Sequence, residues 1–211
     1  MNFLAHVFLA NSDPDSIVGQ LCGDFIRGTD LDRFPAAVVR GIKVHRAVDS
    51  FTDKHPVNLQ ARQLFSAPHR RYAGIITDVA YDHYLALDWR NYSDIPLREY
   101  SALVDQSLSS RFAVLPEGLQ RFAPYLQSEK ILENNIHRDH IELTLGRISM
   151  RRNSMAPLAT AAPVLWRHSD QLKQHFDRFF PELIQFSRGM QQKLQAEYSS
   201  RSATTVSRNN D

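Results

Sequence analysis

Ile75-Ile76-Thr77-Asp78-Val79-Ala80-Tyr81-Asp82-His83-Tyr84-Leu85-Ala86 is the stretch that decides the fold. Its apolar residues recur at helical spacing. At about 100° per residue, Ile75, Val79, Asp82 and Ala86 form one row, with Asp78 and His83 on either side of it and still within the apolar arc. Val38-Val39-Arg40-Gly41-Ile42-Lys43-Val44-His45-Arg46-Ala47-Val48-Asp49 reads the same way: Val38, Ile42, His45 and Asp49 share a face. No alternating β-branched run bounded by hairpin turns occurs anywhere, so the expected fold is all-α, a single-domain multi-helix bundle.

Helices are expected near 2–11, 15–27, 34–50, 56–66, 69–88, 96–110, 117–127, 129–152 with a break, 163–178 and 180–198. Pro14, Gly28, Pro35, Pro56, Pro68, Pro96, Pro116, Pro124, Pro163 and Pro181 mark the boundaries. The helical domain is expected over 1–198. Residues 199–211 are rich in Ser, Thr and Asn, lack an apolar stripe, and read as a disordered polar tail.

The 211 residues are 43% hydrophobic and 23% charged, with 8 Gly and 10 Pro, which excludes collagenous, low-complexity and wholly disordered chains. The longest uncharged stretch, 153–166, is too short for a membrane span and holds two prolines. Residues 1–10 are apolar, but no basic residue precedes them and His6 interrupts them, so they read as a buried first helix and not a secretory signal. A lone cysteine, Cys22, cannot form an internal disulfide, and the cytoplasm is the default compartment. The net charge of +2 is too small to argue for nucleic acid. Acid is nevertheless in excess over residues 1–110, with 13 acidic against 11 basic side chains. Nothing fixes the oligomeric state.

Several of those acids point inward. Asp24 falls between Ile17 and Leu21, and His6 is the one titratable group among Phe3, Leu4, Val7, Phe8 and Leu9. His6, Asp24, His45, Asp49, Asp78, Asp82 and His83 thus gather in a shared interior. A buried carboxylate without a partner costs several kcal/mol or takes up a proton, so four inward aspartates demand positive charge. A divalent cation is the simplest source, and mixed imidazole and carboxylate ligands fit Mn, Fe or Zn better than Ca or Mg. Such a site ordinarily performs hydrolysis. The competing reading is a set of structural Asp–His or Asp–Arg pairs, with Arg27, Arg40, Arg46 and Arg71 as partners. Arg46, Arg70, Arg71, Arg147 and Arg151 are candidate contacts for an anionic substrate, the last two beside His140. A solvated helix face explains them equally.

Asn2-Phe3-Leu4-Ala5-His6, Gly23-Asp24-Phe25-Ile26-Arg27-Gly28, His45-Arg46, Asp49-Ser50-Phe51-Thr52-Asp53, His55-Pro56, Asp78, Asp82-His83 and Trp89 together resemble the acyl carrier protein phosphodiesterases. The resemblance runs in order and spacing to about residue 92. It implies a manganese-dependent hydrolase that removes 4′-phosphopantetheine from the serine of holo-acyl carrier protein, leaving the apo form. The family is similar to the HD phosphohydrolases, all-helical enzymes with a His…His-Asp…Asp metal pattern. This chain has no His-Asp dipeptide, only Asp82-His83 and Asp139-His140, so the motif histidines and aspartates carry over as a group. Asp78 or Asp82 would orient water, and His83 or His45 would protonate the leaving group. Two other readings remain: an HD-like nucleotide phosphohydrolase, and a non-enzymatic helical module that binds acidic partners.

Overall fold

The computed structural model describes residues 1–29 and 31–208, with the backbone alone for 201–208. Among these residues every regular element is helical, in the order α1 (Phe3–Phe8), α2 (Pro14–Cys22), α3 (Ala36–Lys54), α4 (Pro56–Arg62), α5 (Ala73–Leu87), α6 (Leu97–Ser110), α7 (Glu117–Ser128), α8 (Ile131–Asn134), α9 (Arg138–Ser149), α10 (Ala162–Arg167) and α11 (Ser169–Arg208). Short 3-10 turns lie between them, notably Gly23–Phe25 after α2 and Arg70–Tyr72 before α5. Of the tail expected over 199–211, residues 209–211 and the side chains from 201 onward lie outside the described residues. No helix among the described residues is long and apolar enough to cross a membrane.

Local chemistry accounts for most boundaries. The first N–H groups of a helix have no intrahelical acceptor, and at α2 the Ser16 N–H donates instead to Asp13 at 2.8 Å while Pro14 fills the first turn. Pro35, Pro56, Pro96 and Pro116 stand at the starts of α3, α4, α6 and α7 in the same way. Pro124 and Pro181 do not end helices as predicted but lie inside α7 and α11. A proline inside a helix costs about 3 kcal/mol. Burial of Phe176, Phe179, Phe180 and Leu183 on both sides of Pro181 offsets that loss. The predicted helix at 163–178 is therefore a short α10 followed by the first turns of α11.

α5 is central, with α1, α4, α9 and α11 packed around it. It is buried on almost every side, including the polar Thr77, Asp82 and His83, which is why its sequence shows an apolar arc wide enough to take in charged groups. α2 and α3 approach most closely at two glycines, where a Cβ on Gly19 would stand 2.5 Å from the Val38 carbonyl oxygen. That contact sets the Gly23–Phe25 turn beside the middle of α3. Gly28, at φ 81°, takes the left-handed conformation that glycine alone adopts without strain and lets the segment after the turn reverse toward α3.

Candidate metal centre and its adjoining cavity

Two helices bring three donors together. His6 comes from α1, and His45 and Asp49 stand one turn apart on α3. Asp49 Oδ1 lies 3.1 Å from His6 Nε2, and its Oδ2 lies 3.1 Å from His45 Nε2. The two imidazoles stack with centroids 3.9 Å apart. One ligand atom from each residue falls within 4.8 Å of the others. Both histidines are buried, but the Asp49 side chain is 40% exposed, so the cluster opens to solvent. Asp24, on the Gly23–Phe25 turn, faces the same space with Oδ1 3.7 Å from His45 Nε2.

The protonation states suit a cation. Burial pushes the His6 imidazole down to about 4, and neighbouring His45 adds to the push, so His6 is neutral at pH 7 with a lone pair to give. Burial would raise Asp49, but hydrogen bonds with His45 and His6 outweigh it and hold the carboxyl well below the usual carboxylate range. Two imidazoles and one ionised carboxylate form a donor set matched to a first-row transition metal. Gln20 Oε1 lies 3.4 Å from His6 Nδ1 and would accept its N–H when Nε2 turns its lone pair to a cation, as outer partners of metal-binding histidines do.

The expected interior of seven groups divides. Asp78 belongs to the cluster's edge. Its Oδ1 lies 3.4 Å from the Met1 amino group, which is also 3.5 Å from Asp49 Oδ1. Burial would lower that amine, yet Asp78 and Asp49 raise it to about 10, so it supplies part of the positive charge the carboxylates require. Asp82 is fully buried, and its two oxygens accept from the Leu4 and Ala5 N–H groups at 2.7 and 3.0 Å. It caps α1 from across the core and thereby fixes His6. Burial pushes its carboxyl up to about 7, against those two hydrogen bonds. His83 points elsewhere: its Nδ1 lies 2.6 Å from the Asn135 carbonyl oxygen, and its ring meets Trp166 edge-on. Cys22, buried with its thiol pushed up to about 12 by burial, is no nucleophile. Asp82→Ala should lower stability by about 1–3 kcal/mol for each N–H left without an acceptor. The melting temperature measures this, and an unchanged value would contradict the capping role.

The arginines also divide. Arg46 donates to the Ile26 carbonyl at 3.2 Å and ties the segment after the Gly23–Phe25 turn to α3. Arg70 and Arg71 are exposed on the turn before α5. Arg147 and Arg151 border a cavity of about 290 Å³ that begins at Met1 and Asp24 and is walled by Phe25, Phe122, Tyr125 and Ile148. Nothing in the sequence singled out Phe122 and Tyr125, because aromatics three residues apart read as an ordinary core stripe. A larger cavity of about 530 Å³, between Phe8, Ile17 and Tyr100, includes none of the cluster's side chains.

An all-helical chain with a solvent-accessible His–His–Asp cluster beside an arginine-bordered cavity has the equipment of a hydrolase for an anionic ester. The chain belongs to the acyl carrier protein phosphodiesterase family, whose model matches residues 1–183. It is thereby a hydrolase acting on phosphodiester bonds. Curated relatives named acyl carrier protein phosphodiesterase include those of Pectobacterium atrosepticum and Klebsiella pneumoniae, each 35% identical over 90% of this chain and 100% of the relative. An Escherichia coli relative of the same name is 36% identical over 88% of this chain and 96% of its own length. No solved structure matches the chain.

Proposed function

We propose that this chain hydrolyses the phosphodiester joining 4′-phosphopantetheine to the serine of holo-acyl carrier protein, with a divalent cation, expected to be manganese, held by His6, His45 and Asp49. The single observation that carries the reading is the convergence of both imidazole Nε2 atoms on one carboxylate at a solvent-open position. When bound, such an ion offsets charge on the nonbridging phosphate oxygens and makes water more acidic. Asp24, exposed and facing His45, can complete the ligand set. Asp78 is the nearby carboxyl spent neither on the triad nor on a helix end, and burial raises its affinity for a proton against the pull of the Met1 amine. Asp78 would orient the attacking water and take its proton. Asp82 contributes by positioning α1. His83 sits outside the cluster, so protonation of the leaving serine oxygen falls to the groups around Asp78.

Acyl carrier proteins are acidic as a class, and residues 111–211 carry 14 basic against 10 acidic side chains. Arg147 and Arg151, at the cavity's border, are the natural contacts for the carrier. The buried, unpaired Cys22 agrees with a cytoplasmic enzyme. The test is incubation with holo-carrier and mass spectrometry of the product, with free nucleotides as the competing substrate class. Conversion to the apo mass supports the reading, and turnover of nucleotides alone overturns it. In the same assay, replacing both Arg147 and Arg151 with glutamine should lower kcat/KM for the carrier by about tenfold or more while sparing a small generic phosphodiester. Equal loss on both substrates would move these arginines into the catalytic site.

A further inference from the structure

The cavity that starts at Asp24 has a built interior that hydrolysis alone does not require. Phe122 forms its aromatic centre, 5.0 Å from the Phe3 ring, 5.7 Å from Phe25 and 5.7 Å from Tyr125. The Arg147 guanidinium lies over the Tyr125 ring at 5.0 Å and is held there by Glu129 at 3.1 Å. The Tyr125 hydroxyl is buried and has no hydrogen-bond partner. A buried polar group in that condition is uncommon and costs about 1–3 kcal/mol unless a ligand or water satisfies it. A volume of about 290 Å³ is at the small end of small-molecule sites, which run from about 300 to 1,000 Å³. Its walls of Phe3, Phe25, Phe122, Tyr125 and Ile148 suit a slender chain with apolar branches and a few hydrogen-bonding groups.

We infer that this cavity is the subsite for the pantetheine arm of the substrate. Phe122 and Phe25 pack against its branched apolar part, and the Tyr125 hydroxyl, closed to solvent in this structure, turns to bond one of its amide or hydroxyl groups. The phosphate end of the arm then meets Asp24 and the cluster. Arg147, whose side chain is 34% exposed, and Arg151, which is exposed, are left for the acidic carrier at the cavity's border. The inference rests on the carrier-hydrolase reading, because that reading supplies the arm.

The probe is pantetheine itself, without phosphate or carrier, titrated calorimetrically into the full-length protein. Wild type should bind it. Phe122→Ala should weaken binding by about tenfold or more, equivalent to about 1.4 kcal/mol, and Tyr125→Phe should weaken it by roughly threefold. Both variants should raise KM for holo-carrier more than they lower kcat, and both should leave turnover of a small generic phosphodiester intact. If Phe122→Ala does not fold, Phe122→Leu and Tyr125→Phe carry the test. Failure of the wild type to bind pantetheine, or unchanged binding by the folded variants, would overturn the subsite even if holo-carrier is converted to apo. Pantetheine binding that these variants weaken, in a protein that leaves holo-carrier intact, would keep the subsite and sink the proposed reaction instead.

Discussion

His45→Ala is expected to remove nearly all hydrolysis while leaving the protein helical. The imidazole is 1% exposed and contributes one of the three donors that meet within 4.8 Å. Without it, Asp49 keeps His6 and the Met1 amine as partners. Loss of an outer partner of a metal ligand already costs about 10–100-fold, so loss of a ligand should cost at least about 100-fold in kcat/KM. The fold should survive, because the α2–α3 contact rests on Gly19 and Gly41 and not on His45. Circular dichroism and carrier turnover on the same sample separate the two effects. Turnover within a few-fold of wild type would remove His45, and with it the cluster, from the chemistry.

Gly23→Ala should come close to the same loss without touching a ligand. A Cβ built at Gly23 would stand 2.2 Å from both Cδ2 and Cγ of His45, well inside van der Waals contact. Relief demands either that the imidazole leave its stack on His6 or that the Gly23–Phe25 turn move and carry Asp24 with it. Each route separates the donors. Overpacking of this kind typically costs about 1–3 kcal/mol of stability, which the chain should tolerate, whereas a displacement near 1 Å at a catalytic site is worth about 100-fold in rate. The expected result is a folded variant with turnover down by about that factor. Wild-type activity would mean that the position of His45 does not matter.

The two effects also show what the sequence made legible. Helical periodicity was enough for the class of fold, since α3 and α5 carry long apolar arcs that no strand pattern reproduces. The His45–Asp49 pair could be read from four-residue spacing, and His6 from its isolation among apolar neighbours. The division of Asp82 from His83 could not, because adjacent helical residues diverge by about 100° and their fates depend on which helix lies opposite. Asp82 meets the N-terminus of α1, and His83 meets the Asn135 carbonyl beyond the end of α8. Asp24 was found as a residue, but its exposure was not foreseen, because it sits on a 3-10 turn and not on the helix face the pattern implied. The aromatic wall of the cavity and the passage of α11 through Pro181 depend on packing between elements far apart in the chain.

Whether the His6–His45–Asp49 cluster holds the ion on which carrier hydrolysis depends is decided by mass spectrometry of the carrier after exposure to protein stripped of metal. The stripped protein should leave the carrier in its holo form, added Mn²⁺ should restore conversion to the apo mass, and Mn²⁺ should do nothing for His45→Ala. Complete conversion by protein shown to be metal-free by elemental analysis would remove the ion from the reaction.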